Sequence, residues 1–209
     1  MPASIFARHY STLSDAARPA RDDAEAFDNH VLASILAAAL TEAATSGIST
    51  IDGLGLSQTE LGRLVCHCFP GYAATELAGF EPSEPAEEEA LLVDLLLAHR
   101  SGPEPMTTWL AALIARRAMR PDHLWQDLGL NDRGELNRLL ARHFRSLHAG
   151  NTGNMRWKKY FYRLLCEAEG FSLCAAPSCS VCTDFNECFG TEDGLSRLAG
   201  LRRRVDEAA

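Results

Sequence analysis

The sequence predicts an all-α protein, a single helical domain of about six helices followed by an irregular, cysteine-rich C-terminal segment. Three observations carry this reading. Apolar residues recur at three- and four-residue spacing between capping residues and Gly or Pro breaks, and no stretch shows a convincing period of two. A chain of 209 residues that is 46% hydrophobic can bury a core without metal or disulfides. Four of the seven cysteines crowd between 174 and 188, where the helical pattern has stopped.

Taken in order, residues 1–25, with Pro2 and Pro19 and mixed polar content, read as a flexible arm. The helical domain is expected over 26–170. Asp28 can cap its first helix, in which Val31, Leu32, Ile35, Leu36 and Leu40 form one apolar stripe. Gly47 closes that helix, and Ile48 to Leu56 reads as a loop. Ser57 with Glu60 is a capping box, opening a helix that buries Leu61, Leu64, Val65 and Cys68 and stops before Pro70-Gly71. After the break at Pro82 to Pro85, Glu87 to Glu89 place negative charge in a first turn, and Leu91, Leu92, Leu95 and Leu96 point inward.

Thr107 or Thr108 opens the next helix, with Trp109, Leu110, Leu113 and Ile114 inward and Pro121 as its stop. His123 to Leu128 forms a short turn. Asp132 and Glu135 make another capping box, for a helix running through Leu136, Leu139, Leu140, His143, Phe144 and Leu147. Met155 to Glu169 completes the set, with Trp157, Phe161, Leu164 and Leu165 on its core side and Gly170 as its stop. The cysteine segment occupies 171–192, and 193–209 is a tail.

Composition excludes several classes. No apolar run reaches the 18 or so residues a membrane span needs, and the N-terminus lacks the pattern of a signal peptide, so a cytoplasmic protein is expected. The net charge of −8 is unevenly laid out. Residues 1–105 hold 5 Lys+Arg against 16 Asp+Glu, residues 106–170 hold 11 against 6, and residues 171–209 hold 4 against 6. The acidic half would repel nucleic acid and no reader motif is present, so no nucleic-acid partner is expected. The basic stretch can attract an oxyanion or an acidic partner surface, with Arg142, Arg145, Arg156 and Lys158 as candidates, although most such charges end as solvated faces.

The cysteine segment carries the chemistry. Cys174, Cys179, Cys182 and Cys188 follow the pattern C-x4-C-x2-C-x5-C, and Pro177 discourages a helix that would splay the thiolates. The first three cysteines match the C-x4-C-x2-C spacing of plant-type ferredoxins, but the fourth follows at once instead of from far along the chain. Structural zinc sites more often show two C-x2-C pairs set further apart. Spacing alone therefore points to metal and leaves iron–sulfur and zinc both open. Cys166, on the last helix, and His123, in a tight turn beside Trp125 and Asp127, are further candidate ligands. Cys66-His67-Cys68 is not a ligand pair if helical, because successive residues turn by about 100° and the two thiols face apart.

Several stretches together resemble the NifQ family. They are His123-Leu124-Trp125-Gln126-Asp127-Leu128-Gly129-Leu130, Arg142-His143-Phe144, the run from Asn154 through Trp157-Lys158-Lys159-Tyr160-Phe161-Tyr162 to Arg163, Leu165-Cys166-Glu167, and the four cysteines ending in Cys188-Phe189-Gly190. The likeness is dense over residues 120–192 and thinner before, where Phe69-Pro70-Gly71 is the best landmark. It implies a metal-processing and donor protein, not an enzyme. An iron–sulfur cluster on Cys174, Cys179, Cys182 and Cys188 would take up molybdenum and donate it for the nitrogenase iron–molybdenum cofactor. The implied partners are the cofactor scaffold complex and the nitrogenase iron protein. A zinc-stabilised interaction module and a cytoplasmic thiol redox enzyme are the competing readings.

Overall fold

The apolar run at the centre of the first predicted helix decides the architecture. Every residue from Val31 to Leu40 is buried, so this segment is not a one-faced surface helix but one enclosed on all sides. In a computed structural model, which describes residues 2–73 and 82–168, it belongs to the long helix α2 (Asp23–Ser46). The other helices are α1 (Pro2–Ala16), α3 (Thr50–Leu54), α4 (Gln58–Cys68), α5 (Glu87–Ala98), α6 (Met106–Ala118), α7 (Leu124–Asp127), α8 (Arg133–His143), α9 (Arg145–Gly150) and α10 (Trp157–Ala168). All regular structure among the described residues is helical, in ten helices where about six were expected.

The chain divides into two compact units, residues 1–150 and 151–209, so the helical domain expected over 26–170 is split after Gly150. In the first unit α2 packs on α1 and α3, α6 packs on α3, α5 and α7, and α8 packs on α7 and α9. In the second, the described part is α10 and the turn before it, where Asn151 closes on itself by bonding both the N–H and the carbonyl of Met155. Trp157 and Phe161 are buried one turn apart, 5.9 Å between ring centroids. Leu164 and Leu165 are half-buried.

Local signals held where their partners were local. Ser57 Oγ accepts from Glu60 N at 3.2 Å and Glu60 Oε2 accepts from Ser57 N at 3.1 Å, the complete reciprocal cap. At α8 only half of the expected box forms: Asp132 Oδ1 accepts from Glu135 N, but the Glu135 carboxylate turns to the backbone and side-chain N–H groups of Asn131.

Four expectations are corrected. Much of the flexible arm is helix α1, anchored by fully buried Leu13 and by a hydrogen bond between Tyr10 Oη and His30 Nδ1 at 2.8 Å. The loop from Ile48 to Leu56 contains α3, which buries Ile51 and Leu54. Asp28 does not cap α2; Asp22 does, accepting from Ala24 N and Glu25 N, and frees Asp28 for another task. Leu91 points outward at 37% exposure, while Leu92 and Leu96 are buried as expected. No helix among the described residues is long and apolar enough to cross a membrane.

Candidate metal centre and the charged cleft

The four cysteines at 174, 179, 182 and 188 lie outside the described residues. Within them stand three free thiols: Cys166 is half-buried on α10, Cys66 is exposed and Cys68 is buried. The last two face apart on α4, as helical geometry requires. Burial pushes the Cys68 thiol up to about 11, with the Arg18 cation opposing part of that rise, so Cys68 is a protonated group at neutral pH. Among the described residues no three His, Cys, Asp or Glu side chains come together to hold a metal. His123 takes a local role, starting α7 with its N–H donated to Gln126 Oε1 at 3.3 Å.

The arginines of the basic stretch are sorted by the fold into different duties. Arg117 is 1% exposed; its Nε donates to the Asp127 carbonyl and its Nη1 and Nη2 grip Glu42 at 2.8 and 2.7 Å. Arg116 spans Glu89 Oε1, the Asp52 carbonyl and Ser83. Both clamp helices together, so they are neither solvated faces nor part of an open positive field. Arg145 is exposed, and its backbone N–H donates to Ser101 Oγ; its side chain has no hydrogen-bond or ion-pair partner among the described residues. Arg156 and Lys158 are half-buried and belong to the second unit.

Arg142 is held differently. Its Nε and Nη2 donate to Asp28 at 2.9 and 2.8 Å, and Asp28, only 5% exposed, also accepts from His143 Nε2 at 2.8 Å. Burial disfavours the Asp28 carboxylate, but the bonds from His143 and Arg142 outweigh it and hold its pKa below the ordinary value. Behind it, His143 Nδ1 lies 3.4 Å from Thr107 Oγ1, which donates to the Pro103 carbonyl. Gly102 makes room for this stack, since a Cβ there would meet His143 Nδ1 at 2.3 Å. Arg142, Asp28, Arg18, Arg21 and Cys68 line one cleft of about 470 Å³. Sequence reasoning singled out Arg142 but missed its cleft partners Arg18, Arg21 and Asp28; the apolar spacing of α2 gave no sign that a buried carboxylate faces α8.

The comparisons converge. The NifQ family model matches residues 31–190, a span that includes all four clustered cysteines. The chain is 51% identical over 172 residues to the protein NifQ homolog of Sinorhizobium fredii, covering 81% of this chain and 75% of that one. It is 39% identical to protein NifQ of Rhodobacter capsulatus over 160 residues, 76% of this chain and 87% of the relative. Against protein NifQ of Azotobacter vinelandii it is again 39% identical, over 153 residues, 66% of this chain and 78% of the relative. No solved structure matches. The chain belongs to the NifQ family, which places it in nitrogen fixation and molybdenum processing.

Proposed function

We propose that this protein takes up molybdenum on an iron–sulfur cluster held by Cys174, Cys179, Cys182 and Cys188, and donates it for assembly of the nitrogenase iron–molybdenum cofactor. The carrying observation is the coincidence of a family match through residue 190 with a compact four-thiolate set inside it. Thiolate donors suit iron and reduced molybdenum, and sulfide in such a cluster supplies the soft partners that replace oxide around the incoming metal. Molybdate itself is a hard oxyanion, so a cationic donor attracts it first; of the four candidates Arg142, Arg145, Arg156 and Lys158, Arg142 is the one that lines a cleft, and it carries that role here. The protein acts as a cytoplasmic carrier and donor, and its recipients are the cofactor scaffold complex and the nitrogenase iron protein.

Iron, sulfide and molybdenum analysis of protein purified without oxygen tests this reading. Wild-type protein is expected to carry iron and acid-labile sulfide with a visible charge-transfer band. Cys174→Ala, Cys179→Ala, Cys182→Ala and Cys188→Ala should each lose most of it, and Cys66→Ala and Cys68→Ala should keep it. Zinc in place of iron would instead support an interaction module, and unchanged metal content in all four cluster variants would overturn the assignment.

A further inference from the structure

The cleft beside Arg142 is built as more than a helix joint. A guanidinium has five N–H donors, and Asp28 engages only one edge of Arg142, through Nε and Nη2. The remaining edge belongs to a side chain that is 29% exposed and lines the cleft. Its orientation is fixed from behind: Asp28 is locked by His143, and fully buried His143 is enclosed by Thr107 and by the bare Cα of Gly102. An arginine immobilised in this way loses little entropy on meeting an anion.

Asp22, which also acts on Arg142, is engaged as the α2 cap, and the charged side chains that line the cleft are matched with one exception. Arg21 is paired to Glu25, whose carboxyl is drawn down to about 2 by the hydrogen bond from Arg21. Asp28 is matched by Arg142, and Glu104 accepts from Thr108 Oγ1 at 2.6 Å with Arg100 beyond it at 3.9 Å. Arg18, at the same cleft, is exposed and stands in no ion pair among the described residues. Its backbone is fixed, the N–H donating to the Cys68 carbonyl at 2.8 Å and the carbonyl accepting from Asn29 Nδ2 at 2.8 Å. The cleft thus holds one unmatched cation on a fixed backbone and one preoriented guanidinium edge.

We propose that this cleft binds a small tetrahedral oxyanion, held between Arg18 and the open edge of Arg142 with water filling the remaining volume. Its ligand class is the doubly charged oxyanion; taking that anion to be molybdate, on its way to the thiolates, rests on the function proposed above. The assignment is narrower than attraction to a basic face, because it requires Arg18, which lies in the acidic half of the sequence, and does not require Arg145.

The test titrates molybdate into metal-free full-length protein, followed by calorimetry and by backbone amide shifts. Wild type should bind saturably, Arg18→Gln at least tenfold more weakly, and Arg145→Gln within about twofold of wild type. Arg18 is exposed and unpaired, so Arg18→Gln folds normally and its unchanged melting temperature checks this. Sulfate, with the same shape and charge, should compete. A variant with serine at positions 174, 179, 182 and 188 should still bind molybdate. No saturable binding, equal weakening by Arg18→Gln and Arg145→Gln, failure of sulfate to compete, or loss of binding in the serine variant would each overturn the cleft. Iron analysis judges the cluster reading separately: a protein without iron can still bind the anion, and one with iron can fail to.

Discussion

Arg117 and Arg142 show two uses of the same side chain. Each is gripped by a carboxylate from α2, Glu42 in one case and Asp28 in the other, across 75 and 114 residues of sequence. In the first pair the cation is the buried member, at 1% exposure, and the backbone carbonyl of Asp127 takes a further donor. In the second the carboxylate is the buried member, and the cation keeps an edge toward a cleft. Burying the cation makes a clamp, because no donor remains for anything outside the fold. Burying the carboxylate makes a mount, because its task is to aim a cation that still has donors left.

The largest expected effect falls on the clamp. Arg117→Ala removes the buried cation, its aliphatic packing and its bond to the Asp127 carbonyl, a loss of about 4 kcal/mol by analogy with broken buried pairs. Urea unfolding measures it, and a loss under about 1 kcal/mol would remove the distinction between the two arginines.

Asp28→Asn strikes the mount and should cost about 3 kcal/mol. It also has a pH signature. Because the folded Asp28 pKa lies below its ordinary value of 3.8, its stabilisation is fully present above that value and is lost as pH falls through the lower folded one. Stability in Asp28→Asn should therefore fall less steeply than wild type below about pH 4, and parallel acid curves would contradict the linkage.

Gly102→Ala sharpens the comparison from behind the mount. Its new Cβ would lie 2.3 Å from His143 Nδ1 and 2.7 Å from Thr107 Oγ1, so His143 must shift. A cost of about 2 kcal/mol is expected, together with weaker molybdate binding through a displaced Arg142. Stability lost with binding intact would show that Asp28 does not aim the arginine. Smallest is Ser57→Ala, which removes a cap bonded to neither arginine and should cost about 1 kcal/mol in thermal unfolding with anion binding unchanged.

What the sequence revealed follows the distance between partners. Ser57 and Glu60 are three residues apart, and their cap was legible; so were the opposed faces of Cys66 and Cys68. Asp28 read as a cap because an acidic residue before an apolar run usually is one, and its partners Arg142 and His143 are more than a hundred residues away. The buried role of Arg117 went unread for the same reason, since Glu42 is 75 residues away. Helix α1 was legible in principle, since Phe6, Tyr10 and Leu13 keep helical spacing, but two prolines and polar neighbours outweighed that pattern. The spacing of Cys174, Cys179, Cys182 and Cys188 is written in consecutive text, which is why the proposed cluster rests on sequence, and the four lie outside the described residues.

In the function proposed above, metal is cargo on a helical body that folds without it. Far-ultraviolet circular dichroism and visible absorption, recorded on one anaerobic sample before and after chelation, test it most directly. The visible band should disappear while helical signal and melting temperature stay nearly constant. Loss of the helical signal together with the band would contradict it, making the metal part of the scaffold.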